Sequence, residues 1–361
     1  VTAQQVSGIL DGWQELAAGV NGIVFTGSGS SLYAGECISG AVQSGTATLT
    51  SARSSGDLLM FGGDALPTAR PLLLVSLARS GNSPESWGAL RQILDSEPEA
   101  LHLVLTCNRS GRVAQDFETG NHDARVRIVA LDDRTCDRSL VMTSSFTNLA
   151  VAGLGLAHLQ RGAEYLRNAA LLAAAGQELL SGWAGLLAEI ARSGFTRMIA
   201  LGDGGSHGAV REAALKMLEM TDGRVATMAE TTLGFRHGPM CAIHNETLLL
   251  SFLSSDEVRR AYQLDVLAEV KRKGLTARKV IVGSHVPPEV LSDGDMAVSL
   301  AGLRNLPEDW HPVLHVVVAQ LLAFFRCLAE GLRPDEPAPS GAISRVVGDF
   351  PLHSILHNAS R

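Results

Sequence analysis

Short apolar runs alternate with amphipathic stretches along the whole chain. Residues 23–26, 72–76, 101–106 and 126–131 are aliphatic runs of strand length, and helical spacing recurs between them. A second series follows at 197–201, 248–253 and 279–282, with a weaker run at 296–300. Between the two series, 149–194 is rich in Ala and Leu at helical spacing. Strands that alternate with helices predict parallel sheets covered by helices on both faces. The predicted organisation is an N-terminal helical segment over 1–19, an α/β domain over 20–165 and a helical connector over 166–194. A second α/β domain over 195–332 and a tail over 333–361 complete it. Pro334, Pro337 and Pro339 keep the start of the tail out of regular helix and send it over the surface. The most apolar window, 313–325, contains His315 and Gln320 and is shorter than the ~20 residues of a bilayer span. It reads as a buried helix, and no membrane partner is expected.

Two turns in the first series carry chemistry. After the run at 72–76 comes Ala78 to Ser86, ARSGNSPES, in which Ser83 fits a helix N-cap, Pro84 the first helical position and Glu85 the first turn. A helix N-terminus presents backbone N–H groups and the positive end of a dipole. Arg79, Ser80 and Ser83 add donors from other directions, which suits a tetrahedral phosphate. A capped turn with no ligand produces the same local pattern. The turn after 23–26, TGSGSSLYAG, is of similar kind: Gly27 and Gly29 allow close backbone approach, and Ser30 and Ser31 add hydroxyls. Leu32 stands where a dinucleotide fingerprint needs its third glycine, and no Gly-Lys-Ser/Thr follows. A phosphate monoester on a small molecule fits such loops better than a nucleotide does. A third segment, MTSSFT at 142–147, offers Thr143 and Ser144 to the same pocket.

The second series opens with another glycine turn, MIALGDGGSHG at 198–208, carrying Asp203 and His207. It suggests two diverged copies of one α/β unit. The second copy has no counterpart of the Arg-Ser-Gly-Asn-Ser turn, so one phosphate site per chain is expected. On the helix that follows, Glu212, Lys216 and Glu219 fall on one face. A solvated ion-pair stripe explains that spacing, and so does a carboxylate that moves a proton between adjacent sugar carbons. Downstream, Gly234, Gly238 and Pro239 break regular structure around Arg236 and His237, which places His237 in a loop where its imidazole can meet a ligand. A structural imidazole bonded to a carbonyl is the alternative.

Composition narrows the class. The chain has 361 residues, 46% hydrophobic and 19% charged, with a formal net charge of −7 and no basic run, which excludes a nucleic-acid partner. Its five cysteines are scattered without a C-x-x-C pair, which points to reduced thiols in a cytoplasmic setting and against a zinc site. No cofactor and no metal are expected.

The first two turns resemble those of sugar isomerase (SIS) domains, and two such domains in tandem resemble the isomerase half of glucosamine-6-phosphate synthase. The closer resemblance is to the galactosamine-6-phosphate deaminase/isomerase family, also labelled tagatose-6-phosphate ketose/aldose isomerase. ARSGNSPES at 78–86, MTSS at 142–145, REAALKMLE at 211–219, GFRHGP at 234–239 and SRVV at 344–347 carry it, with Ser344 where the family has Asn. The resemblance implies two five-stranded parallel sheets, each sandwiched by helices. It places the phosphate on Ser30, Ser31, Arg79, Ser80, Ser83 and Thr143, and aligns Glu219 with the carboxylate that moves the C1–C2 proton. His237 aligns with the histidine that opens the pyranose ring, which in the synthase comes from the neighbouring subunit, so a homodimer with shared active sites is implied. Where the synthase tail has a lysine, this tail has Arg345, which cannot form a Schiff base and is confined to an electrostatic role. The longer spacing from Glu219 to His237 adds Glu230 as an extra carboxylate. The resemblance implies conversion of galactosamine 6-phosphate to tagatose 6-phosphate and ammonia. Glucosamine-6-phosphate deamination, simple phosphosugar isomerisation and a non-catalytic sugar-phosphate sensor are the alternatives.

Overall fold

A computed structural model describes residues 1–118, 125–275, 277–348 and 350–353. The chain divides into two compact units. The first comprises Val1–Tyr165 and the segment from Ile343 onward; the second is Leu166–Ala342.

The first unit opens with helices α1 (Thr2–Ser7) and α2 (Leu10–Ala18). There follow β1 (Gly22–Gly27), α3 (Ser30–Thr46), β2 (Leu49–Ser54), α4 (Ser55–Phe61), β3 (Leu72–Ala78) and α5 (Pro84–Ser96). Next come β4 (Leu101–Thr106), α6 (Arg112–Glu118), β5 (Val126–Ala130) and α7 (Ser144–Leu154). The strands pair in parallel in the order β2-β1-β3-β4-β5. Both β1 and β3 are buried at every position, as strands covered on both faces must be. On one face Val24, Leu72, Leu74 and Val104 pack under Leu58 of α4 and Ala89, Leu90, Ile93 and Leu94 of α5. The chain winds from β1 to β2 in one direction, then builds β3, β4 and β5 in the other. Right-handed crossovers therefore put α3 on the opposite face from α5. Where the winding reverses, the carboxyl ends of β1 and β3 lie side by side, and an α/β sheet leaves its ligand crevice at such a point.

Helix α8 (Gly162–Gly182) leads into the second unit. Its other elements are α9 (Ala184–Ala191), β6 (Arg197–Leu201), α10 (Gly205–Met220), β7 (Ala226–Glu230), β8 (Thr247–Phe252), α11 (Glu257–Arg272), β9 (Arg278–Gly283), β10 (Met296–Ser299) and α12 (His311–Ala329). The parallel order β7-β6-β8-β9-β10 repeats that of the first sheet position by position. By the same winding argument α10 and α11 lie on opposite faces.

The edge strands β2 (LTSARS) and β7 (ATMAE) are absent from the hydrophobic pattern. At a sheet edge only part of a strand is covered, so neither segment carries a continuous apolar run. Helix α12 extends beyond the apolar window on both sides. The stretch Glu308–Ala329 is long and apolar enough to cross a membrane, yet α12 packs against α10 and α9 with His311 and His315 buried. It is a core helix of the second unit.

Candidate active site

Two serine-bearing turns meet at the reversal point of the first sheet. Gly29, with φ of 55°, lets the chain turn from β1 into α3, and Ser30 and Ser31 are buried in its first turn. Gly27 is required by proximity: an added Cβ would lie 2.6 Å from Ser31 Cβ. The β3–α5 turn behaves as the N-cap pattern predicts. Ser83 accepts the Ser86 N–H at 3.3 Å, and Pro84 occupies the start of the helix. The β4–α6 turn supports this loop from the side. Asn108 Nδ2 donates to the Ser80 carbonyl at 2.8 Å, and the Arg112 N–H donates to Asn82 Oδ1 at 2.8 Å. Gly111 permits that approach, since a Cβ there would lie 2.2 Å from the Ser80 oxygen. The turns that carry Ser30, Ser31, Ser80 and Ser83 thus follow neighbouring strands and each opens a helix, an arrangement that favours an anion.

The third segment carries a feature that the sequence pattern did not single out. The Asp137 carboxylate sits on the N-terminus of α7. Its Oδ1 accepts the Ser144 N–H at 2.8 Å and the Thr143 hydroxyl at 2.7 Å. Its Oδ2 accepts the N–H groups of Thr143 at 3.0 Å and Ser145 at 2.9 Å, and the Ser145 hydroxyl. Burial pushes the Asp137 carboxyl up, but the hydrogen bonds from Ser145 and Thr143 outweigh it and hold it below the usual carboxylate range. The α7 N-terminus therefore already holds a negative charge. Thr143 and Ser144 lie around that carboxylate, and the only sequence signal for it is an acid a few residues upstream of a Thr-Ser-Ser run.

Arg79 and Arg345 bind main-chain oxygens. Arg79 donates to the Leu140 carbonyl at 2.8 Å and to the Arg345 carbonyl. Arg345 in turn donates to the Asp137 carbonyl at 3.0 Å and to Cys136 Sγ at 3.3 Å.

In the second unit the β6–α10 turn has the same shape as the β1–α3 turn. Gly204 has φ of 57°, and a Cβ on Gly202 would lie 2.8 Å from the Ser206 oxygen. Asp203 stands where the first turn has Ser28. Its carboxylate accepts the Thr232 N–H at 3.0 Å, the Thr232 hydroxyl at 2.5 Å and Gln263 Nε2 at 2.9 Å. In the first unit the corresponding contact joins the hydroxyls of Ser28 and Ser55. A carboxylate fixed in the second turn opposes an anionic ligand there.

The carboxylate stripe on α10 is not a solvated one. Lys216 and Glu212 are sealed in the interior, with Nζ 3.2 Å from Glu212 Oε1 and 2.5 Å from Glu219 Oε2. Burial alone would lower the Lys216 pKa, but Glu212 and Glu219 raise it above the ordinary lysine value. Glu219 is the outward end of the triad, its side chain 21% exposed. It lies in the last turn of α10, about 21 Å along the helix from the glycine turn at 1.5 Å per residue. The glycine turn is therefore not what presents this carboxylate.

Glu230 ends β7, and its carbonyl accepts the Gly202 N–H at 3.2 Å. It stands at the glycine-turn end of the sheet, and the structure does not bring it beside Glu219. His237 closes the turn Gly234–His237 and is exposed. Phe235 of this turn packs with Ile199, Leu201, Leu249, Val266 and Leu267 on the α11 face, and Arg236 pairs with Glu269 of α11 at 2.7 Å. Glu219 belongs to α10, on the other face. Among the described residues, no group of three or more His, Cys, Asp or Glu side chains is placed to share a metal ion.

No family model matches the chain. It is 34% identical over 339 residues to the D-galactosamine-6-phosphate deaminase AgaS of Escherichia coli O157:H7, covering 92% of this chain and 85% of that protein. Among solved structures, the tagatose-6-phosphate ketose/aldose isomerase of Escherichia coli matches with a TM-score of 0.85 at 30% identity, covering 98% of this chain and 93% of that one. A Clostridium novyi NT protein given the same isomerase name matches with a TM-score of 0.91 at 28% identity, covering 98% and 91%.

Proposed function

Since the chain belongs to the D-galactosamine-6-phosphate deaminase AgaS family, with its tandem SIS fold, we propose that it isomerises and deaminates a hexosamine 6-phosphate. Galactosamine 6-phosphate, giving tagatose 6-phosphate and ammonia, is the preferred substrate. The turns at 27–31 and 79–83 grip the phosphate, and that binding energy fixes C1 and C2 for reaction. His237 passes a proton to the ring oxygen as the pyranose opens. Glu219 removes the C2 proton and a proton is returned to C1, leaving an imine at C2. Water adds to that carbon and ammonia leaves. The observation that carries this reading is the Glu219 carboxylate. It is accessible at the rim of a buried triad and paired at 2.5 Å with Lys216, a fixed cation that water does not reach.

The opposite faces occupied by Glu219 and His237 support a homodimer in which each active site takes the two residues from different chains. Five free cysteines accord with a reducing, cytoplasmic setting.

Ammonia release from galactosamine 6-phosphate and glucosamine 6-phosphate tests the proposal. Wild-type protein should release ammonia from the galacto epimer in preference. Glu219→Gln should reduce kcat by at least about 10³-fold while still binding substrate. Near-normal kcat in that variant would remove Glu219 from the role of base. Silence of the wild type on both epimers, with tight sugar-phosphate binding, would make the protein a sensor.

A further inference from the structure

The two arginines described above do more than flank the phosphate-binding turns. We propose that Arg79 and Arg345 form a latch that fixes the C-terminal segment across the β3–α5 turn, and that Arg345 is a positioning residue which does not touch the sugar. The proposal rests on the reading that this turn binds the substrate phosphate.

Three observations within the first unit carry it. The Arg79 guanidinium donates to the carbonyls of Leu140 and Arg345, and so ties the 139–140 loop and the tail to the end of β3. The Arg345 guanidinium donates to the Asp137 carbonyl and Cys136 Sγ. That same Asp137 caps α7 through its carboxylate. Beyond the latch Leu352 packs over Gly88 of α5, where an added Cβ would lie 3.0 Å from Leu352 Cδ1. The described tail thus meets the chain on both sides of the turn that holds Ser80 and Ser83, at Arg79 and at Gly88.

The chemistry suits a latch better than an ion pair. Carbonyl oxygens fix the orientation of the Arg79 guanidinium at the end of β3. A fork of donors is needed to bridge the Asp137 carbonyl and the Cys136 sulfur, and a lysine offers a point charge in its place. Seating the tail over the turn excludes water from the phosphate contacts, which strengthens them in ground state and transition state alike. Losing it should therefore weaken substrate binding more than turnover.

Hydrogen exchange of the peptide covering 341–353 in ligand-free protein, together with kcat and KM on the sugar phosphate, decides the matter for Arg345→Lys, Arg79→Lys and Leu352→Asp. The latch predicts exchange of this peptide at least about tenfold faster in both arginine variants. It also predicts a KM raised about tenfold with a smaller loss of kcat. Leu352→Asp, which leaves both arginines in place, should raise KM in the same way. The latch is overturned if Arg345→Lys loses kcat while the tail exchanges as in wild type, because Arg345 then acts on the sugar. It is also overturned if Arg79→Lys weakens inorganic phosphate binding by calorimetry while the tail stays protected, because Arg79 is then a phosphate ligand alone. If wild-type protein turns over neither sugar phosphate, the proposed reaction fails, and the exchange rates still decide the latch.

Discussion

At the scale of single residues, Lys216 shows how burial changes the meaning of a charge pattern. The spacing of Glu212, Lys216 and Glu219 puts them on one helix face, and that much is readable from the chain. Whether water reaches that face depends on what α12 brings against α10, which no local pattern contains. In the folded unit Lys216 has no solvent to replace its partners, so removing the cation takes an ion-pair partner from a buried carboxylate. Lys216→Met should cost about 3–5 kcal/mol in denaturant unfolding. Glu219→Gln removes a partly exposed partner and should cost far less. Equal losses from the two would mean that Lys216 contributes no more than a surface ion pair. Asp137 and Asp203 were illegible for a related reason. Each acts on groups far from it in sequence or on the far side of a loop, and an isolated Asp carries no sign of which N–H groups it will meet.

Among the elements, the central strands and the capped helices were legible because their signals are local. A continuous aliphatic run specifies a strand covered on both faces, and Ser83 followed by Pro84 specifies a helix start. The edge strands β2 and β7 escaped because their pairing is dictated by the neighbour β1 or β6, with little help from their own side chains. Helix α12 makes a testable case of buried polarity. His315 stacks on Phe252 with ring centroids 4.4 Å apart, and its Nδ1 lies 3.0 Å from Ser206 Oγ. Burial, aided by neighbouring His311, holds its pKa well below the ordinary value of 6.5, and burial lowers that of His311 as well. Both histidines therefore bind a proton less readily in the folded chain than in the unfolded one. Their contribution to stability is present above pH 6.5 and is lost as pH falls below it, by up to about 1.4 kcal/mol per pH unit for each. Thermal unfolding should show stability falling from pH 7 to 5, and His315→Leu should remove the larger part of that fall. An unchanged slope would place the acid sensitivity elsewhere.

Viewed as a whole molecule, the chain is one plan used twice and diverged at its ligand turns. The repeated strand order and the shared conformation of Gly29 and Gly204 show the common plan. Ser28 in one turn and Asp203 in the other show the divergence, which leaves the first unit suited to an anion and gives the second a carboxylate that braces its own loop. Dividing the reaction's groups among faces has a genetic consequence. Glu219 and His237 belong to elements on opposite faces of one sheet, and in the proposed dimer each site draws them from two copies. Two null alleles, Glu219→Gln and His237→Ala, should then complement each other. Unfolded together and refolded in equal amounts, half of the random dimers would be mixed, and each mixed dimer would carry one intact and one doubly defective site. Activity should return to about a quarter of wild type from two inactive parents. A mixture that stays dead would place both residues in the same chain's site, whereas a chain carrying both lesions should poison a normal partner, because each site of that mixed dimer lacks one of the two groups.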